Sequence, residues 1–69
     1  MAVVKVIEVM GSSNKSWEDA AQNIVSEAGK TLKNIRSINI ENLAARVENN
    51  RIVEYRVNGK VSFELQGNK

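Results

Sequence analysis

The sequence contains no cysteine, no histidine and no proline. Without cysteine there is no disulfide framework, no thiolate zinc or iron–sulfur site and no nucleophilic thiol. Without histidine the usual general base, the usual triad member and the commonest transition-metal ligand are missing as well. Carboxylates alone can run acid–base chemistry only when two are held at a fixed separation in a cleft, and nothing here builds a cleft. No enzymatic activity is expected. No stretch approaches membrane-spanning length. The first ten residues carry Lys5 and Glu8 with no small-residue cleavage site after them, so no signal peptide is expected. The lack of cysteine fits a reducing, cytoplasmic compartment.

Charge of one sign is also scarce. Ten basic and eight acidic residues leave a net charge of +2, spread along the chain, which predicts a solvated surface and neither a nucleic-acid nor a membrane partner. What the sequence has is a single short unit. With no repeat, linker or low-complexity segment, residues 1–69 read as one domain, and a domain of this size buries only about 60% of the surface its unfolded chain exposes. Small domains offset that shortage with disulfides, a structural metal or association. Association is the route left open, so the chain is expected to act as a homo-oligomer.

The pattern predicts an α+β protomer of order β-α-β-β. Val3–Val9 is β-branched on both faces, interrupted only by Lys5 and Glu8, which suits a strand partly covered on both sides. Gly11, Ser12, Ser13 and Asn14 break it, and Ser16 with Asp19 three residues on forms a capping-box signal. From Trp17 the apolar positions Ala20, Ala21, Ile24, Val25, Ala28, Leu32 and Ile35 keep helical spacing. This places Lys30, Lys33 and Arg36 at the helix C-terminal end, where positive charge is favourable. Ile38 and Ile40 differ in parity from Leu43, Ala45 and Val47, so the second strand needs a bulge near Glu41 and Asn42.

The clearest alternation follows: Val53, Tyr55, Val57, Gly59, Val61, Phe63 and Leu65 inward, polar residues between them. A three-residue loop, Asn49–Arg51, with Asn50 or Arg51 left-handed, would bring Val47 opposite Val53, Ala45 opposite Tyr55, Leu43 opposite Val57 and Arg46 opposite Glu54. The result is a three-stranded antiparallel sheet with one helix across one face. Ala44, Arg46, Ile52, Glu54, Arg56 and Asn58 lie on the other.

The turn Met10-Gly11-Ser12-Ser13, the stretch Ser16-Trp17-Glu18-Asp19-Ala20-Ala21, the segment Thr31-Leu32-Lys33-Asn34-Ile35 and the final Val61-Ser62-Phe63-Glu64-Leu65 resemble, in order and spacing, the dodecin family. The resemblance runs from about Val4 to Leu65. It implies a sheet wrapped on its helix, a hollow homododecamer of cubic-type symmetry, and a flavoprotein role in storing riboflavin or FMN between protomers.

The positions matching the family's flavin contacts depart from its pattern. Where the resemblance places a stacking tryptophan, at the start of the second strand, this chain has Ser37; where it places a glutamine for the flavin's pyrimidine edge, it has Arg56. A hydroxyl cannot stack, and stacking is worth about 1–3 kcal/mol per contact. A guanidinium donates but cannot accept. The Ser-Trp-Glu-x-Ala-Ala and Asn-Ile-Arg stretches resemble the branch that lacks this tryptophan, some of whose members are called calcium dodecins. That implies a second reading, a flavin-free structural or calcium-associated shell, although no acidic cluster has calcium-loop spacing. Ser37 is expected opposite Ser62, roughly 20 Å along the sheet from Arg56, so a ligand shared by both positions would bridge subunits.

Other prominent residues have simpler roles. Trp17, on the apolar stripe, is expected to pack in the core or at an interface, and Gly59 to make room for the helix or a bulge. Arg56 could serve either an anion at a symmetry axis or an ion pair with Glu54.

Overall fold

A computed structural model describes residues 3–65 as four elements: β1 (Val3–Ser13), α1 (Trp17–Ala28), β2 (Ile35–Glu48) and β3 (Arg51–Leu65). All strand pairs are antiparallel, and the sheet order is β1-β3-β2. The strand with the cleanest alternation is therefore central, with one face available to the helix along its length. Val57 and Val61 of β3 meet Ala20 and Ile24 of α1 to form the core cluster, flanked by Ile7, Val9, Trp17, Ile35 and Ile38, and Phe63 of β3 is buried as well. Close approach of the helix depends on Gly11. A Cβ there would stand 2.4 Å from Ile24 Cγ1 and 3.1 Å from the Ala20 carbonyl oxygen. Gly11 thus lets β1 run on beneath the helix to Ser13 instead of breaking after Val9.

The expected cap forms, in part. Ser16 Oγ accepts from the Asp19 N–H at 2.9 Å, an arrangement worth about 1 kcal/mol. The Asp19 carboxylate accepts from Ser13 Oγ at 2.6 Å, so the acid ties the helix start to the end of β1.

The helix is shorter than its apolar periodicity predicts. It ends at Ala28, where Gly29 follows as a poor helix former, and a tight turn bonds the Leu32 N–H to the Ala28 carbonyl at 2.8 Å. Asn34 takes a left-handed conformation (φ 63°), and the reversal makes Ile35 the first residue of β2. Leu32 and Ile35 thus met the helical spacing by coincidence. The last helical turn contains no basic residue, which removes the role assigned to Lys30, Lys33 and Arg36 there. Lys30 instead pairs with Glu27 at 3.2 Å and Arg36 with Glu64 at 2.5 Å.

The β2–β3 hairpin also corrects the expectation. Its loop has two residues, Asn49 and Asn50, both at positive φ (52° and 62°), the pattern that matches strand twist in tight hairpins and that asparagine tolerates. Glu48 then opposes Arg51, and Val47 opposes Ile52, not Val53. A bulge at Val53 absorbs the extra residue, so that Arg46–Glu54, Ala45–Tyr55 and Leu43–Val57 stand in the expected register. Ile52, opposite Val47, consequently belongs with the helix side of the sheet and not with Arg46 and Glu54.

The bulge expected near Glu41 is present. Ile40 opposes Gly59, Asn42 opposes Asn58, and Glu41 is the extra residue. Gly59 makes room for it, since a Cβ there would lie 2.6 Å from the Asn39 carbonyl oxygen. A further bulge falls at Arg36, between the Ile35–Phe63 and Ser37–Ser62 pairs.

The molecule is extended, 54 × 20 × 13 Å, with a radius of gyration of 14.2 Å, against about 11 Å for a compact chain of this length. Its accessible surface is 5150 Å², against about 4300 Å² for a compact protein of this mass. Exposed apolar side chains lie on β1, where Met10 is 69% exposed, and on the hairpin beyond the helix, where Leu43, Val47 and Ile52 are 53%, 58% and 49% exposed. Among the described residues no helix is long and apolar enough to cross a membrane.

Candidate functional site

The face of the sheet turned away from the helix carries both residues singled out in the sequence. Ser37 lies opposite Ser62 across β2 and β3, and their hydroxyl oxygens are 2.6 Å apart. Either can donate. The Arg36–Glu64 pair flanks them through the bulge at Arg36. This corner offers hydroxyls and an ion pair, with no aromatic side chain on the same face.

Arg56 sits between small neighbours, opposite Ser12 on β1 and Ala44 on β2. Its Nε donates to Glu54 Oε1 at 3.3 Å, and the same oxygen accepts from Arg46 Nε at 3.2 Å. Arg46 also donates to Glu48. The Arg46 hydrogen bond, then that from Arg56, holds the Glu54 carboxyl below the usual carboxylate range. Arg46 is in turn raised above its ordinary value, chiefly by Glu48 and then Glu54. The ion-pair alternative for Arg56 is therefore realised in the protomer. Arg46, the hub of this network, was not singled out in the sequence, although its place opposite Glu54 follows from the register.

Contrary to the expectation that nothing builds a cleft, an open one of about 430 Å³ lies between the two corners, over Met10, Glu8, Lys60, Glu41 and the Asn58–Asn42 pair, whose amides bond at 2.7 Å. A smaller cleft of about 160 Å³ adjoins Arg56, Ser12 and Met10. Ser62 lies six positions along β3 from Arg56, a span of about 20 Å, so one protomer does not bring Ser37 and Arg56 together. Among the described residues no three metal-ligating side chains converge.

A flavin stacked as the resemblance implies does not fit these residues within one protomer: the Ser37 hydroxyl is engaged with Ser62, and Arg56 supplies donors only. The indole of Trp17 is also committed. Its Nε1 donates to the Ala44 carbonyl at 2.9 Å, and its ring meets Tyr55 edge to face at 4.9 Å between centroids. It packs, as expected, fastening the start of α1 to the hairpin.

The family model described as Dodecin matches residues 3–66. The chain is similar to a calcium dodecin from Mycobacterium tuberculosis, 33% identical over 66 residues that cover 96% of this chain and 93% of the relative. The solved structure of calcium dodecin from that organism, described as a calcium-chelating antigen with a novel calcium-binding site, aligns at a TM-score of 0.81 and 31% identity, covering 97% and 96% of the two chains. An arginine-to-alanine variant of the T. thermophilus dodecin aligns at a TM-score of 0.91 and 29% identity, covering 96% and 98%.

Proposed function

Since the chain belongs to the dodecin family, we propose that it is a non-enzymatic binding and storage protein that works as a homododecamer and holds a small ligand between subunits. The observation that carries this reading is the shape of the protomer. A chain with a radius of gyration of 14.2 Å and uncovered apolar residues at its hairpin encloses little on its own, and symmetric closure is the common way to complete such a surface. Ser37 and Arg56 act together only where copies meet.

The ligand is of flavin type, bound weakly and in an altered mode because Ser37 and Arg56 replace the stacking and edge-reading groups. Loss of two stacking contacts at about 1–3 kcal/mol each weakens binding by two orders of magnitude or more. Native mass spectrometry of the purified protein should show twelve copies together with any retained ligand, and micromolar protein should quench riboflavin fluorescence. A dissociated chain under these conditions contradicts the assembly; an intact dodecamer that leaves riboflavin fluorescence unchanged contradicts the ligand. Ser37→Trp should strengthen riboflavin binding at least tenfold, by about 1.4 kcal/mol, in an intact dodecamer.

The second reading, a calcium-associated shell without flavin, is favoured by the similarity to calcium dodecin. Among the described residues no cluster of metal-ligating side chains supplies the six to eight oxygens calcium takes, so such a site would draw on more than one copy. Calcium retained by the dodecamer after desalting, and removed by a chelator, would support it.

A further inference from the structure

One dipeptide of β3 combines a reactive sequence with a protective setting. Asn58 is the only asparagine of the chain that is followed by glycine. Asparagine side chains are thermolabile, and a glycine after one offers a backbone nitrogen with no Cβ to crowd it. The fold itself demands that glycine: at position 59 a Cβ would lie 2.6 Å from the Asn39 carbonyl oxygen, beside the Glu41 bulge. The unhindered nitrogen next to Asn58 is therefore a consequence of sheet geometry.

In the folded protein the pair is held away from reaction. Ring closure needs Asn58 Cγ and the Gly59 nitrogen on the same side of the Cα–C bond, and an extended strand keeps them apart. Asn58 cannot leave that conformation alone, since it is flanked by Met10 of β1 and Asn42 of β2 in the middle of the sheet. Its side chain is fixed as well: Nδ2 donates to Asn42 Oδ1 at 2.7 Å, and Gly59 is buried. The unfolded chain has none of these restraints.

We infer that Asn58 is a self-modification site, deamidated through a cyclic imide with Gly59 when the chain is unfolded and shielded from that reaction in the sheet. The Gly59 nitrogen attacks Asn58 Cγ, a C–N bond forms, the Cγ–Nδ2 bond breaks, and Nδ2 departs as ammonia with the proton given up by Gly59. Water then opens the imide. Addition at Cγ gives aspartate, and addition at the Asn58 backbone carbonyl carbon gives isoaspartate, whose main chain runs through the side-chain carbon. Aspartate puts a carboxylate where Nδ2 faced Asn42, in a cleft that already holds Glu8 and Glu41. Isoaspartate lengthens the central strand by one backbone atom, which throws residues 59–65 out of register with both neighbours. The site thus marks chains that have spent time unfolded and withholds the isoaspartate form from refolding. The reaction needs neither a second copy nor a ligand.

The purified protein is incubated in native buffer and in denaturing guanidinium chloride at the same pH and temperature. Trypsin releases the peptide between Arg56 and Lys60, which holds no other asparagine, and mass spectrometry follows its change from amide to acid. A protein isoaspartyl methyltransferase counts isoaspartate separately. In denaturant this peptide should gain acid faster than those carrying Asn14 or Asn23, and about tenfold or more faster than in native buffer. In native buffer the rate should follow the open population, so denaturant too dilute to unfold the bulk of the protein should already raise it. Chains carrying isoaspartate, returned to native buffer, should lack the sheet signal in circular dichroism that freshly unfolded chains regain.

Equal rates in denaturant and in native buffer would overturn the shielding. A rate at Asn58 in denaturant no greater than at Asn14 or Asn23 would overturn the site. Full recovery of the sheet by isoaspartate-containing chains would overturn their exclusion from refolding.

Discussion

The two ends of the sheet obey different rules. Around Val57 and Val61 the strands lie under Ala20 and Ile24, and a missing side chain at Gly11 is what allows the helix so close. Around Val47 and Ile52 the same two strands carry comparable apolar side chains with nothing above them. Apolar alternation alone therefore does not distinguish a core position from an exposed one; the reach of the helix does. One end is packed within the chain, and the other leaves its apolar side chains exposed.

The largest test of this contrast compares two isoleucines. Ile24→Ala should lower the unfolding free energy by about 2–5 kcal/mol, the range for truncating a buried isoleucine. Ile52→Ala should change the dissociated protomer by no more than about 0.5 kcal/mol while weakening assembly. Urea denaturation followed by Trp17 fluorescence, together with sedimentation, separates the two effects; equal losses of folding stability would erase the distinction.

A smaller effect is expected at the boundary. Trp17→Phe removes the N–H that bonds the Ala44 carbonyl but retains a ring for Tyr55, and should cost about 0.5–1.5 kcal/mol. Circular dichroism in urea measures it, and Trp17→Leu, which removes the ring as well, should cost more.

The smallest effect is electrostatic and confined to the hairpin. Glu54 is held below its ordinary value by Arg46 and then Arg56. A carboxylate lowered in the folded state binds its proton less readily than in the unfolded chain, so its contribution is complete above the ordinary carboxylate range. It is lost as pH falls through the lowered value. Hairpin amide exchange, corrected for its intrinsic pH dependence, should therefore speed up on acidification, less so in high salt, and Glu54→Gln should abolish that response.

Much of this fold was legible because strand parity is a strict signal. The bulge at Glu41 followed from a change of phase between Ile40 and Leu43, and the Ser37–Ser62 and Arg46–Glu54 pairings followed from register. The helix end was not, because Leu32 and Ile35 kept the helical period, and only Gly29 marked the stop. The loop was misjudged because parity counts residues but does not say where an extra one goes: a three-residue loop and a two-residue loop with a bulge at Val53 give the same register beyond it. Of the candidate site, the positions of Ser37 and Arg56 were readable. The charge network centred on Arg46 needed side-chain geometry, since Glu48 reaches it along its own strand.

The central place of β3 bears on how the chain comes into being. Val3 pairs with Leu65 and Ser13 with Tyr55, and among the described residues β2 has no neighbour but β3. Until the ribosome has delivered that strand, neither earlier one has anything to pair with. The valine-rich β1 must wait longest, because its contacts close the largest loops. Folding of this sheet therefore follows its synthesis, and the interval in which β1 stands unpaired is when the protein is most exposed to aggregation.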